Sequence, residues 1–237
     1  MFIAKSARIG RSSVNMEHRL QNITYRNLFK KPYYFNSLIK ATSNRFLMQF
    51  LSHVSPGDVI LDIGCGSESV IQEYRNKIKI DILTQNRPHV VGNAINIPLK
   101  NLSVDHICCS WVYEHLEEPI RTLEEFNRIL KPNGYIYLTT NFAWHLHEEP
   151  RDFYRFTKYG LSYLFNSYGK WKIIFLEATA GFWVTILQLI NYKLAKTFGP
   201  FHPIFTLPLQ LLGLFLERLD FDASLSAGHC LIAHKAE

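Results

Sequence analysis

The chain has 237 residues, of which 47% are apolar and 14% aromatic, and its formal net charge at pH 7 is +6. This length and composition supply a substantial core and predict one globular domain. The sequence has no internal repeat and no low-complexity tract, which excludes repeat and disordered classes, and it lacks the continuous apolar core of a secretory signal.

Positive charge is concentrated near the N-terminus. Residues 1–53 hold nine Lys or Arg and a single acid, Glu17. A basic arm favours an acidic partner, such as phosphate groups, anionic lipid or nucleic acid; a solvated helical face without a partner is the alternative. The Arg- and Ser-rich composition is also typical of a targeting presequence, but aromatic residues at helical spacings between Tyr25 and Phe50 favour a helical segment.

An apolar run that ends in two glycines follows the arm. Residues 59–66 read Val-Ile-Leu-Asp-Ile-Gly-Cys-Gly and predict a buried strand. Gly64 and Gly66 predict a sharp turn that lets the backbone approach a ligand, and Ser67 predicts the cap of a brief helix over 69–75. Neither the dinucleotide fingerprint nor a triphosphate loop is complete, because the third glycine and the Lys-Ser/Thr pair are lacking. An ordinary turn in an α/β domain is the alternative.

Further elements follow in alternation. Residues 77–83 predict a strand with Asp81 near its end, where a carboxylate can accept from both hydroxyls of a ribose; a solvated aspartate is the alternative. Residues 105–116 predict a strand and a turn. Residues 124–134 predict a helix that Pro-Asn-Gly ends, and residues 135–140 predict the strand after it.

The last third of the chain continues the pattern. It predicts a helix over 157–167 that Thr157 opens, a strand over 171–178 and a closing strand over 228–234. Strands that alternate with helices predict an α/β fold with a mainly parallel sheet and helices on both faces.

Taken in this order, the motifs resemble those of the class I S-adenosylmethionine-dependent methyltransferases. The D-x-G-x-G run resembles motif I, and Glu-His-Leu with Pro119 resembles small-molecule members related to quinone-ring methylating enzymes. The resemblance covers about residues 54–142. It implies a Rossmann-like seven-stranded sheet whose last strand is antiparallel and lies beside the fifth. It also implies S-adenosylmethionine as cofactor, bound at the carboxyl ends of the strands where the strand order reverses.

The resemblance also implies the roles of individual residues. Asn93 stands where the family commonly has an acid that meets the adenine amino group, and an amide oxygen can still accept from that group. Ala94 leaves space for the purine. Asp62 would hold the glycine turn or the amino-acid end of the cofactor. His115 is the candidate base, since histidine ordinarily titrates near neutral pH, with a purely structural hydrogen bond as the alternative. The cofactor-binding set is Asp62, Gly64, Cys65, Gly66, Asp81, Asn93, Ala94 and Ser110.

Two regions extend the family pattern. Helices ahead of motif I often form a lid in the family, so residues 1–53 are interpreted as an N-terminal helical lid and residues 54–237 as the methyltransferase domain. Residues 179–227 form an apolar helical insertion before the last strand, and neither of its apolar runs reaches the roughly 20 residues that span a bilayer. This insertion packs on its own domain, forms a homodimer contact or contacts a membrane surface.

The loop over residues 141–157 contains Glu-Pro-Arg-Asp-Phe-Tyr-Arg-Phe-Thr, which resembles a segment of bacterial methyltransferases associated with surface-polysaccharide biosynthesis. His145 and His147 lie two positions apart in this loop without a third distant ligand, so we expect no metal site. The four cysteines form no CxxC pair and indicate buried free thiols in a reducing compartment. We therefore expect a cytoplasmic protein, with the inner face of the membrane as the alternative.

These observations predict a methyltransferase that acts at oxygen on a small-molecule, glycan or lipid-linked acceptor. Methylation of a quinone or other lipid ring is the second enzyme hypothesis. A non-catalytic relative whose insertion is an interaction surface is the alternative from a different class. Nucleic acid is not the expected substrate, because the chain has no Asn/Asp-Pro-Pro-Tyr motif to hold a flipped base.

Overall fold

The computed structural model describes residues 37–67, 69–198, 201 and 203–237. The chain divides into two compact units. The sheet unit comprises residues 53–179 and 223–237, and the helical unit comprises residues 1–52 and 180–222. The insertion therefore groups with the N-terminal segment rather than with the sheet. The part of the predicted lid before residue 37 lies outside the described residues.

A seven-stranded sheet forms the centre of the sheet unit, in the order β3-β2-β1-β4-β5-β7-β6. Strands β1 to β5 pair in parallel, and β7 is antiparallel to both β5 and β6. This topology confirms the predicted Rossmann-like sheet and the antiparallel last strand beside the fifth. The strands are β1 (Ile60–Ile63), β2 (Lys77–Asp81), β3 (Val90–Val91), β4 (Val104–Ser110), β5 (Leu130–Asn141), β6 (Trp171–Ala178) and β7 (Gly228–Lys235).

The position of strand β1 in the sheet determines where a ligand-binding crevice can form. All of its residues are buried, and it pairs with β2 on one side and with β4 on the other. Because the connections leave β1 in opposite directions, the strand order reverses here and opens a crevice at the carboxyl ends of β1 and β4. Tyr113, Phe126 and Phe165 are among the largest side chains of the core. All four cysteines are buried and free, as predicted.

Helices of the sheet unit differ from prediction mainly in their bounds. The helix predicted over 124–134 is Pro119–Ile129, because the chain from Leu130 onward already pairs with β4. The helix Lys158–Ser167 begins as predicted, since Thr157 Oγ1 accepts a hydrogen bond from the backbone N–H of Gly160 at 3.0 Å. Two short 3₁₀ turns cover Thr84–Asn86 and Tyr113–His115.

The predicted helix over residues 69–75 was wrong. This segment consists of turns, in which the N–H of Gln72 bonds to the carbonyl of Ser69 and the N–H of Tyr74 to that of Ile71. The carbonyls of Gln72 and Tyr74 accept from Lys77 Nζ at 2.8 and 2.5 Å, so β2 begins before a helix can develop. Ser67 therefore caps no helix. Isolated turns of this length do not supply the several residues that helix propagation requires.

The helical unit contains the helix α1 (Ser37–Leu51). It also contains the helices α4 (Phe182–Phe198) and α5 (Pro203–Leu219). The two α-helices of the sheet unit are α2 (Pro119–Ile129) and α3 (Lys158–Ser167). Helices α4 and α5 contact each other along their lengths. None of the described helices has the length and apolar character that crossing a bilayer requires.

Candidate active site

The turn after β1 depends on two glycines with positive φ. Gly64 has φ +59° and Gly66 has φ +54°, a region that disfavours residues with a Cβ. A Cβ on Gly64 would lie 2.5 Å from Val112 Cγ2, whereas a Cβ on Gly66 would meet no atom within 4 Å. The first glycine is therefore required by packing, and the space over the second is open for a ligand.

Asp81 ties this turn to the end of β2. Its Oδ2 accepts from the backbone N–H of Gly66 at 3.0 Å and from Asn86 Nδ2 at 2.9 Å, and its Oδ1 accepts from the N–H of Leu83 at 2.9 Å. The residue is buried. An ionised carboxylate has about four acceptor positions, and these three donors occupy most of them, with the Cys65 thiol 4.0 Å from Oδ2 as a weak fourth. The predicted ribose contact stays a prediction, and the carboxylate also has a structural role.

Asp62 lies in the middle of β1 and carries an unsatisfied polar atom. The residue is buried, and among the described residues its Oδ2 has no hydrogen-bond partner. Burial raises its pKa to about 6, while a hydrogen bond from Ser69 and the charges of Lys77 and Lys79 act in the opposite direction. A buried carboxylate oxygen without a donor is costly, so a ligand ammonium group would satisfy it.

The remaining predicted cofactor residues lie on neighbouring elements. Cys65 is buried with its Sγ 4.0 Å from Asp81 Oδ2, and burial raises its pKa to about 11. Ser110 ends β4, and its hydroxyl lies 3.0 Å from Thr139 Oγ1. Asn93 is exposed after β3 and accepts from the N–H of Ile95 at 3.2 Å, whereas Ala94 is buried. The sequence therefore located the turn and its carboxylates, and each cofactor contact stays a prediction.

A cleft of about 320 Å³ opens beside the glycine turn. Among the residues that the structure describes, its lining contains basic and neutral polar side chains and no acid. The lining residues are Gly66, Ser67, Ser69, Gln72, Arg75, Lys77, Lys79 and His89.

Glu114 is the central residue of a second cluster, at the carboxyl ends of β4 and β5. Its side chain is fully buried, with Oε1 accepting from Asn141 Nδ2 at 2.6 Å and Oε2 accepting from Thr140 Oγ1 at 2.7 Å. Burial raises the pKa of Glu114, against those hydrogen bonds and the charges of His115 and Arg155. The predicted site residues did not include Glu114, although the Glu-His-Leu element contained it.

His115 is held by its Nδ1 atom. This atom lies 2.6 Å from the carbonyl oxygen of Arg151, and because a carbonyl only accepts, Nδ1 carries the proton. The Nε2 atom is therefore a free base in the neutral imidazole, and it lies 4.0 Å from Glu114 Oε1. On its other side, His115 Nδ1 lies 4.0 Å from Asp152 Oδ1. The structure thus contains the hydrogen bond of the structural alternative, and that bond also makes Nε2 the basic nitrogen of the neutral ring.

The loop after β5 brings His147 to the same place. The rings of His115 and His147 have centroids 4.8 Å apart. His147 Nδ1 lies 3.2 Å from the carbonyl oxygen of His145, and burial lowers the pKa of His147. Asp152 anchors the loop, since its carboxylate accepts from both terminal nitrogens of Arg155 at 2.6 Å. That ion pair holds the pKa of Asp152 far below its usual range.

Glu114, His115 and His147 also have the donor types of a transition-metal site. One ligand atom from each lies within 4.8 Å of the others. Ligands bound to zinc at 2.0–2.1 Å would be separated by roughly 3.4 Å, so the cluster would have to contract to bind it. Both Glu114 oxygens already accept hydrogen bonds, which favours an acid–base arrangement. The sequence prediction of no metal site stays a prediction.

A family model described as a methyltransferase domain matches residues 61–138 of the chain. An uncharacterized protein of Methanocaldococcus jannaschii is 33% identical over 95 residues, which are 36% of this chain and 38% of that protein. The demethylmenaquinone methyltransferase of Symbiobacterium thermophilum is 24% identical over 173 residues, which are 61% of this chain and 57% of that enzyme. The chain therefore spans less than two thirds of the length of these relatives.

Solved structures share the fold at low identity. The cyclase SpnF superposes with a TM-score of 0.57 at 16% identity, covering 83% of this chain and 82% of that one. A phosphoethanolamine N-methyltransferase of Haemonchus contortus, solved with phosphomonomethylethanolamine and S-adenosylhomocysteine, superposes with a TM-score of 0.56 at 15% identity, covering 86% and 57%. At these identities the likeness establishes the fold alone.

Proposed function

We propose that this chain, which belongs to the class I S-adenosylmethionine-dependent methyltransferase superfamily, methylates a hydroxyl oxygen of a small-molecule, glycan or lipid-linked acceptor. The observation that carries the proposal is the state of His115. Its Nδ1 donates to the carbonyl of Arg151, so in the neutral imidazole Nε2, just after β4, is the nitrogen that can accept a proton.

The match to the methyltransferase domain supports S-adenosylmethionine as the cofactor. When bound, this cofactor supplies a methyl group on a positively charged sulfur. The free Oδ2 of Asp62 would pair with its ammonium group, the open space over Gly66 would admit its amino-acid end, and Asp81 would accept from its ribose. Asn93 and Ala94 would contact the purine.

Methylation at oxygen requires the acceptor hydroxyl to lose its proton. His115 Nε2 would take that proton as a general base. The imidazolium that results would lie 4.0 Å from the carboxylates of both Glu114 and Asp152. Two carboxylates at this distance stabilise a positive charge, more strongly because both are buried.

Methylation of a quinone or related lipid ring is the second candidate. The names of the relatives favour it: one is a demethylmenaquinone methyltransferase, and a ubiquinone biosynthesis O-methyltransferase of Haemophilus ducreyi is 25% identical over 107 residues. A hydroquinone acceptor would use the same base, so the two candidates differ in the acceptor and not in the site. A neighbour named as a cyclase has this fold with another activity. A non-catalytic relative whose insertion is an interaction surface is the alternative from a different class.

Calorimetric titration with S-adenosylhomocysteine tests the cofactor site. We expect Gly66→Ala to weaken binding by about tenfold or more, since its Cβ enters the open space at a strained positive φ. Gly57→Ala is the matched control, because its Cβ also meets no atom within 4 Å, but it precedes β1. Absence of binding by the folded wild-type protein would reject the enzyme proposal and favour the interaction protein.

Transfer of a labelled methyl group tests the base. With a hydroquinone, a nucleotide sugar and a lipid-linked saccharide as acceptors, we expect His115→Gln to lower transfer by roughly 100-fold and to leave the affinity for S-adenosylhomocysteine unchanged. His145→Gln, in the same region, is the control. Transfer that survives His115→Gln would refute the base assignment. Transfer that a chelator abolishes and zinc restores would assign His115 to a metal site instead.

A further inference from the structure

The hairpin formed by α4 and α5 has polar residues at its buried positions. In α4 these are Thr185, Gln188 and Asn191, beside the apolar Val184. In α5, Thr206 and Gln210 are buried, and Thr206 Oγ1 donates to Asn191 Oδ1 at 2.9 Å. A surface helix of a globular protein usually buries its apolar face and exposes its polar face to water. This hairpin does the reverse.

The two helices also approach each other closely. A Cβ on Gly213 would lie 3.5 Å from the Cα of Val184, so a small residue stands where the backbones come together. At the start of α4, the Glu217 carboxylate accepts from the N–H groups of Gly181 at 2.7 Å and Val184 at 3.0 Å. Small residues and side-chain hydrogen bonds between helices are the devices that hold helices together in lipid.

Large apolar side chains cover the outer face of α5. Leu219 is 70% exposed, Ile204 68%, Phe215 59% and Leu211 58%. Phe205, Leu207 and Leu212 are also exposed, as is Phe201 just before the helix. A continuous apolar face of this kind on a protein surface marks a contact site.

Charged residues are restricted to the ends of the hairpin. The sequence has none between Phe182 and Tyr192 and none between Pro203 and Leu216. Lys193 and Lys196 are exposed in the last turns of α4, whereas Arg218 in the last turn of α5 lies beside the acids Glu217 and Asp220, so the cationic end of the hairpin is the C-terminal end of α4. Residues 1–53 add nine Lys or Arg against one acid. Cations beside an apolar face complement the anionic headgroups and the acyl chains of a membrane.

We propose that the α4–α5 hairpin binds the surface of an anionic lipid bilayer, with the exposed face of α5 in the boundary between headgroups and acyl chains. Each helix has 17 residues and is about 25 Å long, which suits a position in the interface and not a span. A protein partner is disfavoured, because the exposed α5 side chains between Ile204 and Phe215 offer no polar group, whereas protein interfaces have about one hydrogen bond per 100–200 Å². The inference does not depend on the methylation reaction.

Flotation with vesicles of phosphatidylcholine, with and without roughly one third phosphatidylglycerol, tests the proposal. We expect the full chain to float with the anionic vesicles and the double change Leu211→Glu and Phe215→Glu to lower the bound fraction by about tenfold or more. The control is Tyr159→Glu with Tyr163→Glu on α3, where two residues of 75% and 64% exposure receive the same charge. Thermal unfolding checks that both variants remain folded.

Charge reversal supplies the second arm. Lys193→Glu with Lys196→Glu should lower the preference for anionic vesicles, whereas Lys100→Glu with Lys172→Glu, at exposed positions outside the hairpin, should leave it unchanged. Failure of the full chain to float would overturn the proposal. Flotation that the α5 changes leave intact would also overturn it, by assigning lipid contact to another segment. A dimer that Leu211→Glu and Phe215→Glu dissociate, without vesicle binding, would assign the face to a second copy.

Discussion

Asp62 is expected to reduce the stability of the ligand-free protein. Its carboxylate lies in the buried strand β1, with one oxygen lacking a donor among the described residues. The change Asp62→Asn removes the negative charge and keeps the size of the side chain. We therefore expect this variant to unfold less readily than the wild type at neutral pH and to bind S-adenosylhomocysteine more weakly, because the ammonium group of the cofactor loses its partner.

The magnitude follows from the pKa of Asp62. Burial raises it from 3.8 to about 6 in the folded protein, and a difference of about two units corresponds to about 3 kcal/mol. Below pH 3.8 the carboxyl is protonated in both states and costs nothing. Between pH 3.8 and 6 the unfolded chain ionises first, so the wild type loses stability as the pH rises, and above pH 6 the loss is complete. The advantage of Asp62→Asn should grow by up to about 3 kcal/mol over this range.

Urea unfolding of both proteins at several values between pH 4 and pH 8 measures this difference. The exposed Glu124→Gln on α2 is the control, and its effect should stay within about 0.5 kcal/mol at every pH. Saturating S-adenosylhomocysteine should reduce the advantage of Asp62→Asn at pH 8, because only the wild-type carboxylate gains the ligand ammonium group. A difference between variant and wild type that does not change with pH would refute the account of Asp62.

Other predictions concern packing, an ion pair and a cap. Gly64→Ala should lower the free energy of unfolding by about 2 kcal/mol or more, measured by urea unfolding, because its Cβ would lie 2.5 Å from Val112. Asp152→Asn should cost about 3 kcal/mol at pH 7, since Arg155 loses a buried partner; the low pKa of Asp152 means that this cost fades as the pH falls below 3.8. Thr157→Ala should lower the melting temperature by removing about 1 kcal/mol of helix capping.

Local patterns were sufficient for the glycine turn and for every strand except β3 (Val90–Val91). The run from Val59 to Gly66 predicted β1 and its turn, because apolar β-branched residues and closely spaced glycines restrict the backbone whatever surrounds them. The cap at Thr157 was also predictable from neighbouring residues alone. The prediction of a helix over 69–75 was wrong for a reason that lies outside that segment. The side chain of Lys77 donates to the carbonyls of Gln72 and Tyr74, which a helix would use for its own hydrogen bonds.

The cluster around His115 could be predicted only in part. The sequence indicated His115 as a base but gave no sign that His147, in a separate loop, would lie against it. Nor did it distinguish the buried Glu114 from an ordinary surface glutamate. Those relations arise when β4 and β5 pair in parallel and place Thr140 and Asn141 against the Glu114 carboxylate.

The sequence by itself determined the α/β class of the fold and the position of the glycine turn, since these follow from steric preferences and hydrophobic periodicity within short windows. The arrangement of the seven strands was implied by the family resemblance. Only the tertiary structure decided which atoms meet across the chain. It left Asp62 Oδ2 without a donor among the described residues, and it directed Nδ1 of His115 to the Arg151 carbonyl. It also turned the polar side of α4 and α5 inward. The sequence of a helix gives its apolar content. Which side of the helix is buried depends on its packing against segments that are distant in sequence.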